Sequence, residues 1–382
     1  MPKVLILGAR APVALDHARR FAHQGWSVVV ADSASCRLSA WSQAVSACVR
    51  LPSPRWEPDA FARALAEALR QHRIDLVLPT CEEVFHLARH RVSLPESVRV
   101  ATSDLALLDR LHSKWQFLEL ARECGIAVPA SARVTTLDQA RHWAGEDGVV
   151  LKPEYSRFGT FVRLYRQGIA VDAPELEPVG AWVVQRFCEG RELCSYSIAD
   201  RGRLLAHVVY RPVYRLAGSA SFWFESQTLP AIDRKVAALI AHTGFTGQIA
   251  FDWIESPEGD VWPIECNPRA VSGVHLFGLD DALPAALMGE AIGMLRPSSS
   301  QPCMLGSVMA TAGAWQAWRQ GRWASWREDH RRARDVVALR GDRRPMWGGL
   351  FDMASLAGMA RRQRLNLRQA STHDIEWDGL PA

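Results

Sequence analysis

In the first hundred residues, short apolar runs of strand length alternate with helical stretches, and this alternation limits the fold more than any other feature. Lys3 to Leu7 is such a run, closed by Gly8. Ala14, Ala18, Phe21 and Ala22 then share one helical face that ends at Gly25, and Val28 to Ala31 is apolar again. A second helical face carries Phe61, Leu65, Ala68 and Leu69, and leads to Leu76–Leu78 and then to Val98–Ala101. Repeats of this kind pair their strands in parallel and cover both faces of the sheet with helices, through right-handed crossovers. An α/β domain over about residues 1–111 is therefore expected.

The strand character changes beyond it. Ser113 followed by Gln116 is a capping-box pattern that opens a helix ending near Cys124 and Gly125. Val149–Lys152, Phe161–Tyr165, Trp182–Phe187, Leu193–Ala199 and Leu204–Tyr210 are short runs joined by turns, which read as antiparallel sheet. Ile232, Val236, Leu239 and Ile240 line one helix, and two further strands flank the hairpin turn Ser256-Pro257-Glu258-Gly259-Asp260. The second domain is placed at 112–295, with a small lobe at about 112–184 and a large lobe at about 185–295. Arg296 to Gln301, with three consecutive serines, reads as a linker into a Trp- and Arg-rich C-terminal region, 296–382. That region is expected to be a small helical layer with Trp315 and Trp318 packed inward and arginines outside. The alternative functions for it are a substrate lid or a surface for RNA or membrane.

Composition narrows the function classes. With 48% apolar and 23% charged residues the chain is globular, and a net charge of +4 over 382 residues does not mark nucleic acid as a partner. Eight scattered cysteines show neither a disulfide framework nor zinc-ligand spacing. The apolar run at Val4–Leu7 is too brief for a signal sequence, and no stretch approaches the roughly 20 apolar residues of a membrane span. A cytoplasmic soluble protein is the expectation.

The chemistry concentrates in Phe251-Asp252-Trp253 and Ile264-Glu265-Cys266-Asn267-Pro268-Arg269. Residues two apart on a strand share a face, so Glu265 and Asn267 point together and Cys266 points away to the core. Folding about the Pro-Glu-Gly turn brings Asp252 nearly opposite Glu265. Two carboxylates and an amide on rigid strands suit a hard cation such as Mg²⁺, with Mn²⁺ an alternative, that also takes phosphate oxygens. Arg269 would extend the same face and could steady a phosphoryl group or a carboxylate. The chain has only four lysines, Lys3, Lys114, Lys152 and Lys235, among its 45 cations. Lys114 lies in the first turn of a capped helix, where a cation opposes the macrodipole unless an anion is close, and Lys152 ends a strand before the loop Pro153–Gly159. A slender ammonium fits between phosphate oxygens where the guanidinium fork does not.

These residues resemble the ATP-grasp superfamily, which includes biotin carboxylase, D-alanine:D-alanine ligase and carbamoyl phosphate synthetase, over residue 1 to about 290. The resemblance implies a Rossmann-like pre-ATP-grasp domain, a two-lobed ATP-grasp domain and a small C-terminal domain. It implies that Asp252, Glu265 and Asn267 hold Mg²⁺, that Arg269 and Lys152 are catalytic, and that Lys114 and Lys152 contact the phosphates of ATP. It further implies a mobile loop containing Ser156 and Gly159 over those phosphates, adenine contacts from Gln185, Arg186 and Phe187, and ribose contact from Glu192. The implied activity is ATP-dependent joining of a carboxylate to an amine through an acylphosphate, on small-molecule substrates; the sequence does not fix the oligomeric state, a homodimer being one option. Two departures stand out: Tyr155, Arg157 and Phe158 replace small loop residues, and Gln185 stands where relatives often carry an acid.

Two other readings compete. Gly8 after a strand, with Asp32 at the end of the next one, imitates a dinucleotide fingerprint and would make the chain an NAD(P)-dependent oxidoreductase, although the later glycines are absent and Pro12 removes an amide. A non-catalytic nucleotide-binding regulator is the other. Thr80-Cys81-Glu82-Glu83 lies where ligands meet parallel sheets, and His207, Arg211 and Arg215 could enter the site from the central sheet.

Overall fold

The computed structural model describes residues 1–156, 161–178, 180–216 and 221–379 as a mixed α/β chain with three sheets. Strands β1 (Lys3–Leu7), β2 (Ser27–Asp32), β3 (Ala47–Arg50), β4 (Leu76–Leu78) and β5 (Arg99–Val100) are all parallel, in the order β3-β2-β1-β4-β5. Their side chains alternate between two cores. Val4, Ile6, Val28 and Val30 face one, and Leu5, Leu7, Val29 and Ala31 the other. Burial on both faces explains why these strands read as unbroken apolar runs.

The order of the chain reverses between β1 and β4, and at such a point the loops diverge and open a crevice. Gly8 sits there with φ +75°, and a β-carbon on it would lie 2.5 Å from Thr80 Oγ1, so only glycine admits this approach of the two loops.

A four-stranded antiparallel sheet follows: β6 (Ser131–Val134), β7 (Val149–Pro153), β8 (Arg163–Tyr165) and β9 (Trp182–Arg186), in the order β6-β9-β7-β8. Trp182, Val184, Val149 and Leu151 pack against Leu137 and Ala140 of the helix Leu137–Ala144. The third sheet contains β10 (Arg191–Asp200), β11 (Arg203–Arg215), β12 (Ser221–Gln227), β13 (Gly247–Glu255), β14 (Val261–Asn267), β15 (Cys303–Met304) and β16 (Arg334–Asp335), in the order β14-β13-β10-β11-β12-β15-β16. One face buries Phe251, Trp253 and Val209 against Val236, Leu239 and Ile240 of the helix Pro230–Thr243. The other face packs Tyr196, Ile198 and Val208 onto Val4, Ile6 and Ala18, so the first and third sheets share a single core.

The C-terminal region departs from its sequence reading. Its strands β15 and β16 extend the large sheet beside β12. Trp315 and Trp318 are not packed inward: they are 59% and 66% exposed and stack on each other at 5.2 Å, while Ala317 and Met309 take the buried positions. Gly313 lets this helical segment approach Phe222 of β12 closely, which leaves the indoles on the solvent side. The final segment then returns to the first sheet, where Arg10 bonds both Asp32 (2.5 Å) and Asp374 (2.6 Å).

Candidate active site

The hairpin β13–β14 forms as its turn chemistry requires. Ser256 N–H donates to Asp260 O at 2.8 Å and Gly259 takes φ +91°. The resulting register sets Asp252 directly opposite Glu265 and Ala250 opposite Asn267. Asn267 Nδ2 lies 3.4 Å from Asp252 Oδ2, and Asn267 Oδ1 accepts from Arg269 Nη2 at 3.0 Å. The four residues singled out from the sequence therefore form one continuous set of contacts. Cys194 of the neighbouring β10 donates Sγ–H to Asp252 Oδ1 at 3.1 Å, a contact with no sequence signal.

Burial, and then the charge of Glu265, push the Asp252 carboxyl above its ordinary value. Two acids held together in a place that penalises their charge are poorly matched to each other and well matched to a divalent cation. The donor chemistry, two carboxylates and an amide oxygen, fits Mg²⁺ or Mn²⁺ by that test. Among the described residues, no three His, Cys, Asp or Glu side chains gather at metal-binding spacing, so any such site here depends on Asn267 and on oxygens of a ligand.

The cations come from other elements. Lys152, on β7, is buried and donates Nζ–H to Ile264 O (3.0 Å) and Gln185 Oε1 (3.2 Å). Burial, joined by the like charge of Lys114, lowers its pKa to about 8 against the support of Glu265. Lys114 opens the helix Lys114–Glu123, whose N-cap Ser113 Oγ accepts from Gln116 N. Its Nζ reaches Ser156 O at 3.1 Å and lies 3.8 Å from Glu265 Oε1. The anion that this helix start requires is thus partly supplied by Glu265. Glu154 locks the beginning of the loop in place, accepting from Ser113 Oγ (2.5 Å) and Arg133 Nε (2.7 Å). Gly159, with Arg157 and Phe158, lies outside the described residues.

The residues assigned to the base and sugar are placed differently. Gln185, on β9, spends its amide on Ser131 Oγ (3.1 Å) and its oxygen on Lys152. The N–H groups of Arg186 and Phe187 already donate to Ala130 O (2.8 Å) and Gly148 O (2.9 Å), so these amides are not open to a ligand. Glu192 pairs with Arg215 at the start of β10. That arginine also bears on Asp252 electrostatically, as the sequence had allowed. His207 does not enter the site: it is buried between Ser197 Oγ (2.9 Å) and Asp233 Oδ1 (3.1 Å).

Glu82, which the sequence places where ligands meet parallel sheets, and two residues that sequence reading did not assign, Asp109 and Trp377, lie on the far side. Glu82 Oε1 lies 3.9 Å from Arg269 Nε, and Glu82 Oε2 accepts from the main chain of Trp377 at 3.0 Å. Asp109 accepts from Trp377 Nε1 (2.8 Å) and Tyr155 O–H (3.2 Å), so one carboxylate ties the C-terminal segment to the loop beside Lys152. The position of Glu82 after a parallel strand was the available cue. Trp377 offered none, because its partners are 268 and 295 residues away.

The dinucleotide reading fails on geometry. Asp32, the acid that would take a ribose, accepts from Arg10 N, Arg10 Nε and Ala34 N at 2.8 to 2.9 Å, and Ser371 O and Asp374 close over the same arginine.

No family model matches the chain. It is 28% identical over 223 residues, 51% of its length, to the mitochondrial arginine-specific carbamoyl phosphate synthase large chain of Neurospora crassa, and spans only 19% of that protein. Among solved structures it is similar to N5-carboxyaminoimidazole synthetase from Staphylococcus aureus, with a TM-score of 0.62 and 12% identity over 84% of this chain and 86% of the other. It is equally similar to biotin carboxylase from Campylobacter jejuni, solved as a β,γ-ATP complex, with a TM-score of 0.62 and 14% identity over 77% and 72%. No helix among the described residues is long and apolar enough to cross a membrane. By fold the chain is similar to these ATP-grasp enzymes, and over about half its length its sequence is similar to part of the carbamoyl phosphate synthase large chain.

Proposed function

We propose that the protein is an ADP-forming carboxylate–amine ligase. One observation carries the reading: Asp252, Glu265 and Asn267 of a single hairpin meet Lys114 and Lys152, which arrive from a helix start and from another sheet. Oxygen donors beside two buried ammonium groups form an environment for a metal-bound polyphosphate rather than for a hydride carrier. When bound by Asp252, Glu265 and Asn267, Mg²⁺ or Mn²⁺ would neutralise charge on the terminal phosphates of ATP.

The chain's own residues do the rest. Lys114 and Lys152 hold the phosphate oxygens as point charges, and Ser156 lies beside them, its carbonyl on Lys114. The main-chain oxygens of Arg186 and Phe187 serve the base, Gln185 holds Lys152 in place, and Glu192 exchanges Arg215 for the ribose hydroxyls. Arg269, steadied by Asn267 and Glu82, presents its guanidinium to the substrate carboxylate or to the phosphoryl group in transfer. A carboxylate oxygen forms a bond to the γ-phosphorus as the bond to the β-phosphate bridging oxygen breaks, and ADP leaves. The nitrogen of an amine then attacks the acyl carbon, phosphate departs with the bonding pair, and the amine gives up a proton. Enclosure by the loop keeps water from the mixed anhydride between these steps.

Residues 1–111, 112–295 and 296–382 are read as a Rossmann-like pre-ATP-grasp domain, the ATP-grasp domain with lobes meeting near residue 185, and a C-terminal region. Two further facts favour the ligase. The names of the fold neighbours, a carboxyaminoimidazole synthetase and a biotin carboxylase, put carboxyl chemistry on this scaffold. The chain also retains Asn267 and Arg269, which a regulator that only binds nucleotide could lose without unfolding. The test is phosphate release from ATP with pooled carboxylic acids and amines, each set alone and both together. Release that needs both sets supports the ligase, and release indifferent to every amine contradicts it.

A further inference from the structure

The surface of the C-terminal region is unlike the rest of the molecule. Residues 314–370 hold thirteen arginines against five acids, a net +8, where the whole chain carries only +4. Their longest helix, Arg344–Gln363, has twenty residues and is therefore about 30 Å long. Pro345, Gly348, Leu356 and Ala360 are its buried positions. Gly348 is required for this docking, because a β-carbon there would lie 2.1 Å from the indole of Trp41.

The outward face is apolar. At helical spacing it presents Trp347, Leu350 and Phe351, which are 61%, 60% and 70% exposed, followed by Ala354 and Gly358. Phe351 stacks on the half-exposed Trp41 at 6.2 Å, which extends the patch beyond the helix. Arg343 and Arg344 lie at one end of this face and Arg361 and Arg362 at the other, and all four are exposed. The helix's one acid, Asp352, lies off the stripe, where it accepts from Arg37 N at 3.1 Å. Arginines at the N-terminus also oppose the helix dipole, an arrangement that an external anion relieves.

We infer that this helix face docks the protein onto an anionic membrane surface. Aromatic and aliphatic side chains on a helix lying in the interface enter the boundary between headgroups and acyl chains, and the arginines at its ends pair with lipid phosphates. A second copy of the chain is the poorer occupant. With arginine pairs at both ends, parallel and antiparallel pairing alike set guanidinium groups against guanidinium groups. RNA is poorer too, because it would leave Leu350 and the apolar centre of the stripe without a partner.

The experiment is co-sedimentation of the full chain with vesicles of phosphatidylglycerol and phosphatidylcholine in equal parts, against vesicles of phosphatidylcholine alone. Two double variants accompany it: Trp347→Ser with Leu350→Ser, and Arg361→Glu with Arg362→Glu. All four positions are exposed, so unfolding temperatures should match the parent. The expected result is binding to the anionic vesicles that is at least tenfold stronger than to neutral ones, weakens with added salt, and falls at least tenfold in each variant. No binding, equal binding to both vesicle types, or full binding by either variant overturns the inference. So does light scattering that finds a dimer dissolved by the Trp347/Leu350 pair, or displacement of vesicles by polyuridylate. Since catalysis is not read, the outcome stands apart from that of the ligase assay.

Discussion

Replacing Asp252 with Asn, or Glu265 with Gln, should abolish most ADP formation while leaving the fold intact. The expected loss in kcat is a hundred- to a thousandfold, roughly 3–4 kcal/mol of transition-state stabilisation, the order seen when one preorganised electrostatic group is removed. The stability of the nucleotide-free protein should move the other way for Asp252→Asn. An acid whose folded pKa is raised binds more protons in the folded state than in the unfolded one, so its ionisation lowers stability as pH rises. At neutral pH the variant should therefore unfold at a higher temperature than the parent, and the difference should vanish in acid, where the parent is protonated in both states. Steady-state kinetics and thermal unfolding across pH check both halves. A variant that is inactive and also less stable at pH 7 would point to a structural role for Asp252 instead.

Lys152→Met is the second large effect. The side chain that replaces the ammonium is of similar length and apolar, so about a hundredfold or more of kcat should be lost while the β7–β9 pairing survives. Lys152→Arg should not rescue activity, because the guanidinium fork does not fit the buried space between Ile264 O and Gln185. The pH dependence has a definite sign. The folded pKa, near 8, lies below the ordinary 10.5 of lysine, so between these values the unfolded chain holds the extra proton and the folded form gains stability as pH rises. This gain should appear in the nucleotide-free parent and be absent from Lys152→Met. In the parent, kcat/KM for ATP should decline as pH rises through about 8, where the free enzyme loses the charge that meets the phosphates. An unchanged profile up to pH 10 would exclude Lys152 from that role.

How far the sequence could be read depends on the range of the contact involved. The parallel sheet was legible because each strand's burial is local to its own run of residues, as in Val4–Leu7 and Val28–Ala31. The facing of Asp252 and Glu265 was legible because a short turn fixes register, and the pairing follows from counting back from Ser256–Asp260. The scarcity of lysine pointed to Lys114 and Lys152 before any geometry was known. What escaped was set by distant packing. The Arg186 and Phe187 amides are taken by Ala130 and Gly148, which only the assembled small sheet reveals. Trp377 reaches Glu82 and Asp109 across most of the chain, and no periodicity encodes that return. Trp315 and Trp318 were misplaced for a related reason: helical spacing of aromatics marks a face, but the close approach of Gly313 to Phe222 of the large sheet and the burial of Ala317 decided which face turned inward.

A calorimetric titration with a non-hydrolysable ATP analogue, with and without Mg²⁺, tests the central claim most directly. Saturable heat should appear with Mg²⁺, weaken at least tenfold without it, and disappear in Asp252→Asn. Absence of heat in the parent, or binding that ignores both Mg²⁺ and the substitution, would contradict the assignment of the β13–β14 hairpin as the metal–nucleotide site.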